Sequence, residues 1–486
     1  MKLNIKKEIL NEKLNIVSKA ISTKNIIPVL CGIKFDLTSE GLFLTTSNDD
    51  IAIETFIDKQ EIDTIEDTGT IIIPGKYFLE IIRKIDDEYL NIETDGLKII
   101  ISTKRGEYSL NGMNSKEFPN IKMDLSTKPI KISQKILKTI INQTCFAVST
   151  QESRPILTGI NMTIDNDNLI CVATDSYRLA KKIVKLDEIR TETTNIVIPG
   201  KNLLELSKIL EDEEKNLELH IFPTNVLIKT ENMLFQSRLL NGSYPDTSKL
   251  IPTDFELTIT LPLIEFYNTI DRVSLLTTEK DKNLVKMEVI DDNLMLSSTS
   301  QEIGKMEENM KVEKNNDINM KIAYSSKYML DALRTLKCET IEVKLSSEIK
   351  PIIIKNKEDK ILMLLRNDDV KKADSDMRLE GTWTLPSGKV KFGETIEEAG
   401  IRKTKQECNL DVSKIKVICV QNDVNSYAQF ATFGLLAEDY SGTISLPNTE
   451  ELIKYEWFDI SNMPENTCEP TKRIIEKYLS NEFYNG

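Results

Sequence analysis

The stretch Ile73-Pro74-Gly75-Lys76-Tyr77-Phe78-Leu79-Glu80-Ile81-Ile82-Arg83-Lys84-Ile85 constrains this chain most, because the chain contains it three times. It returns as Ile198-Pro199-Gly200-Lys201-Asn202-Leu203-Leu204-Glu205-Leu206-Ser207-Lys208-Ile209-Leu210 and, more substituted, as Tyr324-Ser325-Ser326-Lys327-Tyr328-Met329-Leu330-Asp331-Ala332-Leu333. Lys76, Lys201 and Lys327 stand 125 and 126 residues apart. The copies open on a helix-start residue, Pro or Ser, after β-branched runs such as Ile71–Ile73 and Ile196–Ile198. Apolar residues then recur at helical spacing: Phe78, Ile81, Ile82 and Ile85 in the first copy, Met329, Ala332, Leu333 and Leu336 in the third. One such helix means only a packed surface helix. Three at a constant long period mean a domain copied three times.

A second helix belongs to each copy. The spacing of Leu10, Leu14, Val17 and Ile21 predicts one over 7–21, and its counterparts run over 136–148 and 263–276. Alternating or β-branched runs at 33–35, 42–45 and 51–56 read as strands, so each repeat is helix, strands, helix, strands. Leu110-Asn111-Gly112 followed by Phe118-Pro119 is echoed by Leu240-Asn241-Gly242 followed by Tyr244-Pro245, a turn signal leading into the next repeat. The expected domains are 1–127, 128–252, 253–349 and a further one over 350–486.

Composition narrows the function. A chain of 486 residues with 40% hydrophobic and 29% charged residues buries a real core. The seven cysteines form no CxxC pair, which suggests neither a zinc site nor a disulfide framework. His220 is the single histidine, in a strand-like stretch, so multi-histidine metal sites are excluded and the residue is read as structural. No signal-peptide pattern or membrane-length apolar run is seen, and the protein is read as cytoplasmic with no membrane partner. A net charge of −14 argues against coating nucleic acid with the whole surface, but leaves room for one local basic face.

Three sequence signatures go beyond the repeat. Phe146-Ala147-Val148-Ser149-Thr150-Gln151-Glu152-Ser153-Arg154-Pro155-Ile156-Leu157-Thr158-Gly159 and Ala173-Thr174-Asp175-Ser176-Tyr177-Arg178-Leu179-Ala180, with Gly242–Asp246 through Pro252, resemble the bacterial sliding clamp, the β subunit of DNA polymerase III. The resemblance implies an α+β fold of three repeated domains, helices inside and sheets outside, closed into a homodimeric ring. It implies DNA-polymerase processivity on double-stranded DNA held without regard to sequence, with DNA polymerase III and clamp-loader subunits as partners, and needs no cofactor. Lys24, Gln151 and Arg154 match clamp positions that face DNA, and Lys76 and Lys201 join them as candidates. A partner-peptide pocket between the second and third domains would be walled by Leu157, Thr174, Ser176, Tyr177, Arg178, Leu179, Pro245, Lys249 and Leu250.

The chain then continues where a clamp would stop. Gly381-Thr382-Trp383-Thr384-Leu385-Pro386-Ser387-Gly388-Lys389-Val390-Lys391-Phe392-Gly393-Glu394-Thr395, leading into a helix with Ala399 and Arg402, resembles the Nudix motif G-x5-E-x7-R-E-U-x-E-E-x-G-U, U being aliphatic. This implies an α/β/α sandwich in which carboxylates at helical spacing hold magnesium against a diphosphate. Gly388, Glu394, Arg402, Glu407 and Leu410 match. Lys403 and Gln406 stand where metal-binding glutamates belong, Thr404 replaces the aliphatic residue and Asn409 the glycine. The implied magnesium site, Glu394, Glu398 and Glu407 with Glu407 catalytic, is therefore weakened.

Three readings remain open. The chain is a clamp carrying a degenerate Nudix domain; or a DNA-tethered Nudix nucleoside-triphosphate pyrophosphohydrolase, with Glu450 or Glu451 as a later ligand; or an inert fusion. The hairpin of residues 351–366 discriminates, since a clamp ends on such a pair and a Nudix sheet begins on one. No Gly/Ser- or Pro-rich linker separates the two domains. The expectation is that the Nudix sheet keeps the hairpin, because Ile361–Arg366 runs directly into its motif.

Overall fold

The computed structural model describes residues 1–486 except 23–26, 122, 124, 214, 279, 357–359, 370–371, 373–378, 425–428, 448–449, 461–462, 481–482 and 485–486. It divides into two compact units, Met1–Lys355 and Asn356–Gly486. Residues 350–355, assigned by sequence to the last domain, lie with the first unit.

In the first unit each repeat contributes two helices that touch each other: α1 (Lys7–Val17) and α2 (Gly75–Lys84), α3 (Gln134–Thr144) and α4 (Gly200–Ser207), α5 (Leu263–Val273) and α6 (Ser326–Leu333). The first helix of every repeat is 11 residues long and runs into a short 3-10 turn, Ser18–Ala20, Cys145–Ala147 or Ser274–Leu276. Those turns keep the apolar spacing going, so sequence reads the helices as longer than they are. Leu10, Leu14 and Val17 on α1 are buried, as are Ile140 and Ile141 on α3 and Phe266, Ile270 and Val273 on α5. On α2, Phe78 meets Phe35 edge-on, ring centroids 5.2 Å apart, in an aromatic contact at the centre of the first core.

One eight-stranded sheet joins the first two repeats, in the order 130–133, 216–221, 225–229, 233–238, 51–58, 41–47, 32–37, 69–74. The seam is antiparallel pairing of Met233–Ser237 with Ile51–Thr55, so the boundary between repeats is crossed by backbone hydrogen bonds. A single hydrophobic core runs beneath both repeats, and the third has its own, around Phe266, Leu296 and Val343. A long hairpin, Gly159–Thr174 with Leu179–Pro199, carries residues 175–178 at its tip and delivers Pro199 to the start of α4. His220 is buried, its Nδ1 2.9 Å from Thr127 O.

The second unit has a three-stranded sheet, Trp383–Thr384, Lys360–Arg366 and Leu452–Asp459 in that order, and a separate strand pair, Asp411–Val424 with Gln429–Ser441. Helices α7 (Ile396–Cys408) and α8 (Glu469–Ser480) pack on the strand 411–424. Gly400 permits the close approach of α7: a Cβ there would stand 2.6 Å from Leu435 Cδ1.

The hairpin 351–366 is divided between the units. Ile361–Arg366 pairs with Leu452–Phe458 in the second unit, but Ile353–Asn356 is the edge strand of a sheet in the third repeat, beside Thr340–Leu345. The expectation that the Nudix sheet keeps the whole hairpin is thus corrected for its first strand. The physical reason is burial: Ile352 and Ile354 pack against the core of the third repeat, whereas Leu362 and Leu364 belong to the core of the second unit. Among the described residues, no helix is long and apolar enough to cross a membrane.

Candidate functional site

In the first unit the tip of the long hairpin is built by its own side chains. Asp175 Oδ1 accepts from the backbone N–H of Tyr177 (2.9 Å) and of Arg178 (3.0 Å), an Asx turn that lets Ser176 take a left-handed φ of +77°. Thr174, buried, donates its hydroxyl to Arg178 O at 2.7 Å. Arg178 is held on both sides: Nε donates to Asp175 Oδ2 at 3.1 Å and Nη1 to Asp331 Oδ2 on α6 at 2.7 Å. Its guanidinium lies 4.5 Å from the Tyr328 ring and 5.4 Å from that of Phe146. Tyr177 remains 78% exposed, 6.3 Å from Tyr328 between ring centroids.

From the segment 242–250, Tyr244 reaches the same place. Tyr244 Oη accepts from Thr174 N–H at 3.0 Å, and burial pushes its phenol up to about 12. Leu157 is buried nearby in sequence to Ile156, against which Gly242 lies. Leu179 is half-buried, and Pro245, Lys249 and Leu250 are exposed, Leu250 at 56%. The structure therefore brings Thr174–Arg178 together with Tyr244, Tyr328, Asp331 and Phe146. None of these last four was a sequence candidate. Asp331 occupies the position of Glu80 and Glu205 in the repeat, and that alignment alone carries no sign of a role between repeats.

Of the candidates for DNA, Lys24 lies outside the described residues. Gln151 and Arg154 are exposed on the turn after α3, where Gln151 N–H donates to Ser149 Oγ at 3.1 Å. Lys76 is exposed at the start of α2, its ammonium 5.7 Å from the Tyr77 ring. Lys201 starts α4 in the same way but forms an ion pair with Asp50, which also holds Arg238 at 2.5 Å. That pairing fixes Lys201 across the seam between the first two repeats.

In the second unit the Nudix-like segment folds around α7. Thr395 caps the helix, its Oγ1 accepting from Glu398 N–H (3.1 Å) while Glu398 Oε2 accepts from Thr395 N–H (2.9 Å). Arg402 grips Glu394 twice, at 2.6 and 2.8 Å, and Lys391 N–H donates to the same carboxylate at 2.9 Å. These donors hold the Glu394 carboxyl well down, at about 2. Asn409 ends the helix at φ +60°, so it keeps the left-handed position for which the motif uses glycine.

Glu407 is only 8% exposed, and burial raises its carboxyl above the ordinary range against the pull of Ser387 N–H, Lys403 and Arg366. Its Oε2 accepts from Ser387 N–H at 2.9 Å, and its Oε1 is 3.5 Å from Lys403 Nζ. Gln406 is exposed and accepts from Arg402 at 3.3 Å. Glu451 pairs with Arg366 at 2.5 Å and Glu450 with Lys372 at 3.3 Å.

The proposed metal set thus does not converge. Glu398 is a capping residue, Glu394 is bound by Arg402, and Glu407 faces an ammonium. Among the described residues no group of three or more His, Cys, Asp or Glu side chains is placed to hold a metal ion. The donors present do not fit magnesium.

The family models for the DNA polymerase III beta subunit match in succession: the N-terminal domain over residues 1–122, the central domain over 131–246 and the C-terminal domain over 248–365. A beta sliding clamp of Staphylococcus aureus is 39% identical over 364 residues, 74% of this chain and 96% of the relative. This chain belongs to the beta sliding clamp family. The clamp of Bacillus subtilis is 41% identical over 371 residues, covering 75% of this chain and 98% of the relative. The crystal structure of the Bacillus subtilis clamp superposes with a TM-score of 0.71 at 41% identity, over 74% of this chain and 96% of that one, and a Streptococcus pneumoniae beta chain does so with 0.70 at 32%, over the same shares.

A NUDIX domain model matches residues 351–478. It and the clamp's C-terminal model both claim residues 351–365, the hairpin that the structure divides. The clamp repeats therefore end, and the NUDIX domain begins, inside one shared segment.

Proposed function

We propose that the chain acts as a DNA sliding clamp, a homodimeric ring that keeps DNA polymerase III on double-stranded DNA in the bacterial cytoplasm. The observation that carries this is the coverage of whole clamps, 96% and 98% of their length, by three repeats whose sheet is hydrogen-bonded across the first boundary. Such a ring holds DNA by topology, so its contacts with phosphate need only be weak, basic and indifferent to sequence. Lys24, Lys76, Gln151 and Arg154 are the groups assigned that task. Lys201 shares it with its structural pairing to Asp50.

The partner-peptide site is placed at the turn 174–179 with Leu157, Tyr244, Pro245, Lys249 and Leu250. Exposed Tyr177 and Leu250 would cover an apolar anchor, and the pinned Arg178 sets the shape of the wall. Clamp-loader and polymerase subunits are its expected occupants.

The NUDIX domain is read as non-hydrolytic. A tethered pyrophosphohydrolase needs carboxylates converging on a cation, and Glu394, Glu398 and Glu407 are each committed elsewhere.

The test is retention on DNA. Loaded by a clamp loader and ATP onto nicked circular plasmid, the chain stays bound in high salt and is lost when the plasmid is linearised. Loss from the circle at the same salt would mean electrostatic binding only and would remove the reading.

A further inference from the structure

The two seams of the first unit are built differently. In the second repeat three strands follow α4, over 216–221, 225–229 and 233–238, and the third of them lies between 225–229 and 51–58, hydrogen-bonded to the first repeat. Three strands also follow α6, over 340–345, 353–356 and 360–366. The third of these has the place of the seam strand in the order of the repeat, yet it pairs in the second unit. Among the described residues, no strand pairing joins the second repeat to the third. Side chains do so instead: Arg178 with Asp331 at 2.7 Å, and Gln143 Nε2 donating to Thr335 O at 3.2 Å.

That seam therefore keeps two sheet edges. Ile353–Asn356 ends a sheet of the third repeat, and Leu179–Lys185, which follows the hairpin tip as Ile51–Asp58 follows the turn 48–50, pairs with Asn168–Thr174 on one side only. Ile183 on this strand is 50% exposed. Open edges of this kind accept a further strand.

The segment 360–366 suits both seats. The clamp's C-terminal model runs through residue 365, and the NUDIX model starts at 351. Ile361-Leu362-Met363-Leu364-Leu365 offers apolar side chains to both faces, as an interior strand does in either sheet. Residues 357–359 are all that separates it from Ile353–Asn356, a hairpin-length link.

We propose that strand 360–366 is exchangeable, and that the folded C-terminal unit withholds it from the second seam of the clamp. The two seats exclude each other, because the strand is central in its present sheet, between 383–384 and 452–459. When the second unit unfolds, the strand returns and gives the second seam the backbone ladder that the first seam has. This rests on the strand order of the repeats and not on the retention of DNA.

The test is hydrogen–deuterium exchange of the full chain, read by mass spectrometry over 179–185 and 353–356, with 51–55 as reference. In the unsubstituted chain the two seam segments exchange faster than the reference. Leu452→Asp places a charge in the core of the second unit and unfolds it, which Trp383 and Trp457 fluorescence reports. Cys408→Asp, in the same core, is added if that signal shows the unit still folded. Exchange over 179–185 and 353–356 is then expected to slow about tenfold or more, as amides enter a ladder. Met363→Pro in the same background breaks the strand and abolishes the slowing. Seam amides that stay fast with the second unit unfolded, or that slow equally with Met363→Pro, overturn the proposal.

Discussion

Arg178 Nη1 donates to Asp331 Oδ2 across 2.7 Å, tying the hairpin tip of the second repeat to helix α6 of the third. The pair is partly shielded, with 19% and 27% of the two side chains exposed, and Arg178 also lies over the Tyr328 ring. Asp331→Ala leaves Arg178 with Asp175 as its one carboxylate partner and unties the turn that presents Tyr177 from α6. Binding of a polymerase-derived peptide should weaken by about 1–3 kcal/mol, the cost of losing a shielded charged partner. Fluorescence polarisation with a labelled peptide checks this; unchanged affinity would place the peptide elsewhere.

The carboxylates of α7 define a second prediction. Lys403→Glu combined with Gln406→Glu removes the internal cation and puts two acids beside Glu407, which is the arrangement that holds magnesium. The double variant should gain a magnesium-dependent rise in the melting temperature of the C-terminal domain, while the unsubstituted chain shows none. Without magnesium the same variant should melt lower than the parent, because crowded like charges repel.

Glu394 gives a dependence on pH. Its carboxyl is held near 2 by Arg402 and Lys391 N–H, below its ordinary value of 4.5. A depressed carboxylate contributes stability that is fully present above its unfolded value and is lost as pH falls through the folded one. Glu394→Gln should therefore lower the denaturation midpoint of the C-terminal domain by the same amount at pH 7 and pH 6. The difference from the parent should shrink below about pH 4.5 and be gone near pH 2. Denaturant titrations followed by tryptophan fluorescence measure it.

The repeat made the architecture of the first unit legible. Three copies of one amphipathic helix at a fixed period leave little choice of fold, and α2, α4 and α6 begin at Gly75, Gly200 and Ser326, inside those copies. The helix ends were misread because a 3-10 turn preserves apolar spacing. In the site, Thr174, Ser176, Tyr177 and Arg178 are candidates from sequence because they share one short segment, whereas Asp175, which holds the turn, is not among them. Tyr244, Tyr328 and Asp331 are not candidates either, since their role arises only when separate repeats meet. Glu398 carries two readings for a local reason: the residue that answers a Thr cap at the third helical position has the same identity as a metal ligand. Asn409 shows the reverse, a departure from the motif that changes nothing physical, because asparagine accepts the left-handed cap.

The shared hairpin yields the sharpest test of how the two domains divide the chain. Leu364 is fully buried in the core of the second unit, on the strand that pairs with Leu452–Phe458. Leu364→Ala should cost that unit about 2–5 kcal/mol, the usual range for emptying a buried leucine site. Both tryptophans of the chain, Trp383 and Trp457, lie in the second unit, so their fluorescence follows its unfolding alone, while far-ultraviolet circular dichroism follows both units. The fluorescence midpoint should drop and the remaining dichroism transition should stay where it was. If the strand instead completed the third repeat, Leu364→Ala would lower the dichroism transition of the clamp and spare the tryptophan signal.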